Sequence, residues 1–309
     1  MPDDNVPIGR MQQQSNLLGC LWMVAGGLLF VAVTVLVRYL GSDMPAVEAA
    51  FIRYLIGVLL LLPMIWRLHW RGIRPDRFRL YFLRGILHGI AVMLWFFAMA
   101  RIPLSEVTAI GFSTPVFTAL GAILIFREQV KTRRMMAILA GFVGTLIILR
   151  PGFQTIEAGS LAQLIAAFCF AGSFLFTKHM TQSASSGEIL VMLTIFCTLT
   201  LLPGAIYYWR EPTLLEVSWL ALVAVFATAG HYAITRAIAY APLTITQPLS
   251  FLQLVWAIIF GYWLFDEVPD SWVIVGASII VAAISYLTHR EAMAARRRKM
   301  LAAESSSPV

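Results

Sequence analysis

Charged side chains are scarce in this chain. Asp, Glu, Lys and Arg make up 13% of its 309 residues, where a soluble globular domain carries about 25%. With 60% hydrophobic residues and a mean hydropathy of +0.80, that scarcity excludes an ordinary water-soluble domain and places the chain in a bilayer. Acids are fewer than bases, 16 against 23, for a net charge of +7. The bases stand between apolar runs, where membrane orientation accounts for them and no nucleic-acid groove is needed. Cysteine is rare too: Cys20, Cys169 and Cys197 lie inside apolar runs with neither metal-ligand spacing nor pairing. They read as small apolar packing residues. HExxH, GxSxG, an intramembrane pair of aspartates and a nucleotide-binding loop are all missing, which counts against a membrane-embedded enzyme such as a lipid-modifying transferase or protease. No cofactor and no metal is expected.

What is present is a succession of apolar runs. Ten occur, at approximately 16–38, 45–66, 79–101, 104–126, 134–149, 159–178, 188–209, 215–236, 243–265 and 271–289, each near the length that crosses about 30 Å of hydrocarbon as helix. The fifth is short and relies on snorkelling by Arg133, Arg134 and Arg150. The first exceeds a signal-peptide core of about 7–15 residues and is not followed by a small-residue cleavage site, so it reads as a retained span.

The runs repeat. Ala98–Glu128 returns as Ala237–Glu267 after a shift of 139, pairing Pro103-Leu104 with Pro242-Leu243, Phe112 with Phe251, Phe126 with Phe265 and Glu128 with Glu267. Upstream the shift is 140: Glu48 matches Glu188, Leu61-Leu62-Pro63 matches Leu201-Leu202-Pro203, and Arg38 matches Lys178. Five spans per repeat is an odd number, so the second copy enters the membrane in the opposite sense to the first. The fold class is an all-α membrane protein of ten transmembrane helices in two inverted five-helix repeats, the arrangement that alternating access uses. The expected divisions are a tail at 1–15, disordered or surface-lying; a first repeat at 16–150; a second at 151–289; and a basic tail at 290–309 whose RRRK cluster is an orientation signal ahead of a disordered end or a site for anionic lipid head groups. With the N-terminus in the cytoplasm, 16 Lys and Arg fall inside, four (Arg38, Arg101, Arg150, Arg210) outside, and Arg53, Arg84 and Arg236 within spans. That asymmetry puts both termini in the cytoplasm.

An ionisable group inside a bilayer costs about 2.5–3.5 kcal/mol at a helix centre, which makes it a site candidate unless it snorkels. Arg53 lies mid-depth in the second span, and Glu48 is on another face of that helix. It is either an anchor for an anion or carboxylate or half of a structural pair. His88 shares a face with Arg84 beside the GxxxG of Gly85 and Gly89; Arg84 is expected to snorkel to the near surface. His231 crowds the eighth span with Tyr232, Thr235 and Arg236 and either meets substrate or bonds between helices. Ser113, Thr114 and Pro115 in the fourth span face Gln247, Pro248 and Gln253 in the ninth, two proline-interrupted polar segments from opposite repeats that point to a midplane site. Trp95, Phe251 and Trp256 are the aromatic walls carried forward. The substrate-binding set is therefore Arg53, His88, Trp95, Ser113, Thr114, His231, Gln247, Phe251, Gln253 and Trp256, and no residue is assigned a catalytic role.

These features, with the Ala-Pro-Leu entry to the ninth span and the run GHYAITRAIAYAPLTITQPLSFLQLVWAIIFGYWLFDE from Gly230, resemble the drug/metabolite transporter superfamily with EamA-type repeats. The resemblance covers residues 16–289 and implies a secondary carrier in a bacterial inner membrane. Its expected cargo is an amino acid, a nucleoside-like metabolite or a drug, driven by a gradient or by exchange and often exported. A weaker likeness, in LGSDMPAVEAAFIRY and LRG, is to carriers of S-adenosylmethionine. The family implies a cavity between spans 1, 3, 4, 6, 8 and 9, with spans 5 and 10 peripheral. Partners are a small-molecule substrate and membrane lipids, with no nucleic acid; a homodimer is compatible with the sequence.

Overall fold

A computed structural model describes residues 8–41, 43–67, 75–126, 132–150, 156–180, 184–240, 249 and 251–306. Among them are the helices α1 (Ile8–Leu40), α2 (Ala46–Leu60), α3 (Leu62–Arg67), α4 (Pro75–Met99), α5 (Leu104–Gly111), α6 (Ser113–Phe126), α7 (Thr132–Leu149), α8 (Ala158–Met180), α9 (Ser186–Tyr207), α10 (Leu214–Tyr240), α11 (Leu252–Phe265) and α12 (Ser271–Ser306). Five segments are long and apolar enough to cross a bilayer unbroken: Leu17–Leu40, Arg77–Met99, Ala158–Thr177, Gly187–Tyr207 and Leu214–Ile234. The remaining spans are shorter or interrupted, and proline explains two interruptions. Pro63 ends α2 at Leu61 and sits in the first turn of α3, while Pro115 has no N–H for the Gly111 carbonyl and divides the fourth span into α5 and α6 at Phe112. Both ends of the chain are more helical than the sequence suggests. α1 begins at Ile8, inside the expected tail, and α12 runs on through the RRRK cluster to Ser306 where a disordered end is expected; alanines and long basic side chains are good helix formers and let it continue.

Successive spans alternate in direction, so the bundle has two ends. Arg38, Glu48, Pro103, Arg150, Arg210 and Glu267 meet at one, called here the Glu267 end; Tyr81, Met180 and Glu188 meet at the other, the Glu188 end. Large apolar side chains such as Leu21, Leu55, Leu59, Phe168, Phe174 and Leu199 are exposed along the helix flanks, as a lipid-facing surface requires. Trp66 is exposed at the Glu188 end, and Tyr207, Tyr208, Trp209, Trp263 and Trp272 at the Glu267 end, where aromatic rings anchor to the membrane interfaces.

The extensive helix contacts run between the halves. α1 packs on α10, α4 on α8 and α9, α2 on α9 and α10, and α7 on α12. Exchanging each span for its repeat partner turns α1 with α10 into α8 with α4, α4 with α9 into α10 with α2, and α1 with α11 into α8 with α6; all of these contacts exist. Contacts that map onto themselves mark the pseudo-twofold. There, the repeat-related Phe112 and Phe251 meet edge to face at 5.1 Å, and α7 crosses α12 where Gly144 and Gly276 each face the other's carbonyl. Small residues permit such close crossings. The GxxxG of α4 works in the same way: Gly85 faces Phe196 of α9, and Gly89 faces Thr200.

Candidate functional site

A narrow cleft opens between α2, α9 and α10, with a free volume of about 20 Å³, enough for water. Its walls are Arg53, Tyr54, Gly57 and Leu61 of the second span, Leu190, Leu193 and Thr194 of α9, and Ala224, Thr228 and His231 of α10. It extends from Arg53 at mid-depth to Leu61 and Leu190 near the Glu188 end. Gly57 keeps the passage open, with only the Thr194 methyl at van der Waals distance. The expected ring of spans shares with it only the eighth. Within that ring of spans, aromatic side chains pack spans 3 and 6 together and spans 4 and 9 together: Trp95 is edge-on to Phe170 at 6.1 Å and Phe96 at 6.2 Å, His88 to Phe170 at 5.0 Å, and Phe112 to Phe251 at 5.1 Å.

The cavity floor is cationic. Arg53 is 8% exposed, with its guanidinium over the Tyr54 ring at 4.0 Å, a cation–π contact that leaves the charge available to a further partner. His231 stacks edge-on against Phe30 at 5.0 Å. His88 is buried behind them, with Nδ1 3.0 Å from the Ser173 hydroxyl. Arg84 does not snorkel: it is 7% exposed and donates to the Ile189 carbonyl at 3.1 Å, while its Nε is buried without a partner. The correction has a packing cause, since the close approach of α4 to α9 at Gly85 traps the guanidinium beside the α9 backbone. Arg53, Arg84, His88 and His231 lie within electrostatic reach of one another. Described carboxylates on the spans stand at helix ends. Glu48, Glu106, Glu188 and Glu216 are each the third residue of their helix, where an acid meets the positive end of the macrodipole.

Of the expected site residues, Arg53 and His231 line the cavity together, and His88 and Trp95 stand behind it in the Phe170 cluster. Ser113 lies elsewhere, fully buried, 2.8 Å from the Thr145 hydroxyl, which itself donates to the Gly141 carbonyl; this triad ties α6 to α7. The Thr114 carbonyl accepts from the Thr118 hydroxyl at 2.8 Å. Gln253 packs toward Gly27 of α1, Phe251 toward Phe112, and the Trp256 indole N–H is buried with no partner. Gln247 lies outside the described residues. Tyr54, Thr194 and Thr228 line the cavity without having been expected. Tyr54 carried a sequence signal in being adjacent to Arg53, whereas the two threonines carried none that sets them apart from other threonines within spans.

The Glu267 end is tied shut. α11 ends at Asp266, whose φ of 52 lies in the left-handed region, and the Glu267 N–H bonds back to the Gly261 carbonyl at 3.1 Å. That turn carries the Glu267 carboxylate back beside Gly261, which has no side chain to block it. Its Oε2 accepts from the Leu104 N–H at 2.8 Å, at the N-terminus of α5, and its Oε1 lies 2.9 Å from Arg38 of α1 in ion-pair rather than hydrogen-bond geometry. Nearby, Arg210 donates its backbone N–H to Glu48 at 3.2 Å and its side chain to Glu216 at 2.5 Å; the Glu216 hydrogen bond raises the pKa of Arg210 above its usual value. Ser160 donates to Glu106 at 2.6 Å, and Arg150 pairs with Asp270. Helices of both repeats are thus joined at this end.

The family model described as "EamA-like transporter family" matches residues 17–150 and 157–288. A riboflavin transporter of Vibrio cholerae is 31% identical over 292 residues, covering 93% of this chain and 98% of that protein. An S-adenosylmethionine uptake transporter of Rickettsia bellii is 27% identical over 281 residues, covering 91% and 97%. A pseudopaline exporter of Pseudomonas aeruginosa is 24% identical over 270 residues, covering 86% and 94%. Among solved structures, one crystal structure aligns with a TM-score of 0.55 at 15% identity over 90% of this chain and 98% of that one, a likeness of fold alone. All three named relatives are transporters, and the enzyme alternative is set aside.

Proposed function

We infer, since this chain belongs to the EamA-like transporter family, that it is a secondary carrier working by alternating access, with cargo admitted through the cavity at Arg53 and His231. One observation carries this reading: the cleft reaches the Glu188 end, where Tyr81 donates to Glu188 across the repeats at 2.6 Å, while the Glu267 end is tied by several such contacts, through Glu267, Glu48, Glu106 and Arg150, as in a carrier caught facing one side. The bending points are the Pro63 and Pro115 interruptions, and Phe112 and Phe251 form the pivot on the pseudo-twofold. In the opposite state the repeats exchange roles. Arg53, His88, His231 and Trp95 form the part of the binding set nearest the cavity; Ser113, Thr114, Gln247, Phe251, Gln253 and Trp256 form a second part, reached as spans 4 and 9 move.

The charge asymmetry supports an inner-membrane carrier with both termini, and the Glu188 end, in the cytoplasm. The repeat divisions 16–150 and 151–289, flanked by the tails 1–15 and 290–309, fit this reading, and a homodimer is compatible with it. The named cargoes of the relatives, riboflavin and S-adenosylmethionine, suggest a small organic metabolite. The test is uptake and efflux in proteoliposomes loaded in turn with riboflavin, S-adenosylmethionine, amino acids and aromatic acids. Saturable counterflow of any of them supports a carrier, and absence of flux for the whole panel in protein shown to be folded counts against it.

A further inference from the structure

We propose that the Arg53 cavity receives a carboxylate, and that the cargo is a compact organic acid with an aromatic or apolar body. This deepens the carrier reading and rests on it. Three observations carry it. First, Arg53 is more than nine-tenths buried and forms a wall of an open cavity, yet no described carboxylate pairs with it; the structural-pair alternative therefore finds no described acid to make the pair. Second, the other ionisable groups nearby have the same sign or are neutral. Arg84 is spent on the Ile189 carbonyl, His88 on Ser173, and the described acids of the spans are all at helix ends. A buried guanidinium without a counter-ion is costly, and a bound anion removes that cost. A net cation such as S-adenosylmethionine meets no described acid at this depth. Third, the chemistry of the walls suits an acid with an apolar body, which the cleft admits as the helices around it part. The Arg53 fork presents paired donors to a planar carboxylate, while Leu61, Leu190, Leu193 and Ala224 face the rest of the space. Thr194 and Thr228 add hydroxyls on α9 and α10.

The experiment uses the purified full-length protein in detergent and a pair of probes of nearly equal shape, radiolabelled benzoate and its neutral counterpart benzamide. Benzoate is expected to bind at least about tenfold more tightly than benzamide, the preference a charge-assisted hydrogen bond supplies. Arg53→Gln is expected to erase the preference and Arg53→Lys to keep part of it. Equal affinity for the two probes, or binding of neither, overturns the proposal without needing any variant. Displacement of benzoate by short-chain phosphatidylglycerol at lower concentration than by unlabelled benzoate overturns it in favour of an anionic-lipid site. Flux of riboflavin in the proteoliposome panel, unaltered by Arg53→Gln, leaves the carrier reading standing and removes the carboxylate. Loss of both flux and benzoate binding in folded protein removes both.

Discussion

Replacing Glu267 by Gln tests whether the tie at its end of the bundle holds that end closed. The amide keeps an acceptor for the Leu104 N–H but loses the charge that strengthens this bond and attracts Arg38. Hydrogen bonds to charged groups contribute about 1.5–3 kcal/mol against roughly 0.5–1.5 for neutral ones. An exposed ion pair adds about 0–1 kcal/mol; with side-chain exposures of 22% for Arg38 and 10% for Glu267, this pair belongs in the upper part of that range. The sum is about 1.5–2.5 kcal/mol, or a factor of about 10–70 in the balance between closed and open forms. Ser105, beside Leu104 and 4% exposed, reports on that balance. Introduced as Ser105→Cys in purified protein, its alkylation by N-ethylmaleimide should accelerate about 10–70-fold when Glu267→Gln is added, with protein lacking the new cysteine as background. Arg38→Gln, which leaves the Leu104 bond intact, should give a smaller rise. An unchanged or slower rate in Glu267→Gln would refute the reasoning, because the carboxylate would then not be holding the closed form.

Enlarging the crossing of α7 and α12 should destabilise the fold: a Cβ at Gly144 falls 2.7 Å from the Gly276 carbonyl oxygen. Gly144→Leu is expected to cost at least about 1–3 kcal/mol, read as a lower midpoint of thermal aggregation. Cysteines placed at Ser185 and Glu211, exposed at opposite ends, should be labelled from opposite faces of the membrane, Ser185 from the cytoplasm; labelling of both from one face contradicts the topology. Ser113→Ala should lower stability by about 1 kcal/mol through loss of the Thr145 bond, measured by denaturation in detergent. Trp95→Ala and Gln253→Leu separate the two parts of the proposed binding set. Trp95→Ala should weaken benzoate binding by loosening the Phe170 cluster behind His88, while Gln253→Leu should leave equilibrium binding intact and slow counterflow.

Architecture was legible in the sequence because it is written in long-range regularities. Hydrophobic runs of membrane length, a repeat offset that preserves Pro103-Leu104 and Pro242-Leu243, and Phe112 matched to Phe251 all survive local drift. The inverted repeat follows from them; that Phe112 and Phe251 meet on the pseudo-twofold is seen only in the structure. The site was harder to read, since a helical sequence gives depth and face but not neighbours. Arg53 was found by depth alone. Arg84 was expected at the surface because its distance from the helix end allows snorkelling, and only the position of α9 against Gly85 shows why it stays inside. Ser113 stood out as a polar group in an apolar span, although Thr145, its bonding partner, lies on a different span. The helical start at Ile8 and the continuation of α12 to Ser306 were missed because polar composition was read as disorder, when helix propensity does not depend on hydrophobicity.

The crossing pattern of the two halves also bears on how the molecule is made. Cys197 reaches the Gly85 carbonyl across 112 positions of sequence, and the glycine face of α4 meets Phe196, Cys197 and Thr200 of α9. As the chain emerges from the ribosome, the first five spans enter the bilayer with their small-residue faces turned to lipid, waiting for helices not yet synthesised. Neither half has a finished interior of its own. Two halves supplied as separate polypeptides should therefore seek each other, and a single ancestral repeat inserted in both orientations would already have presented the same pairs of faces.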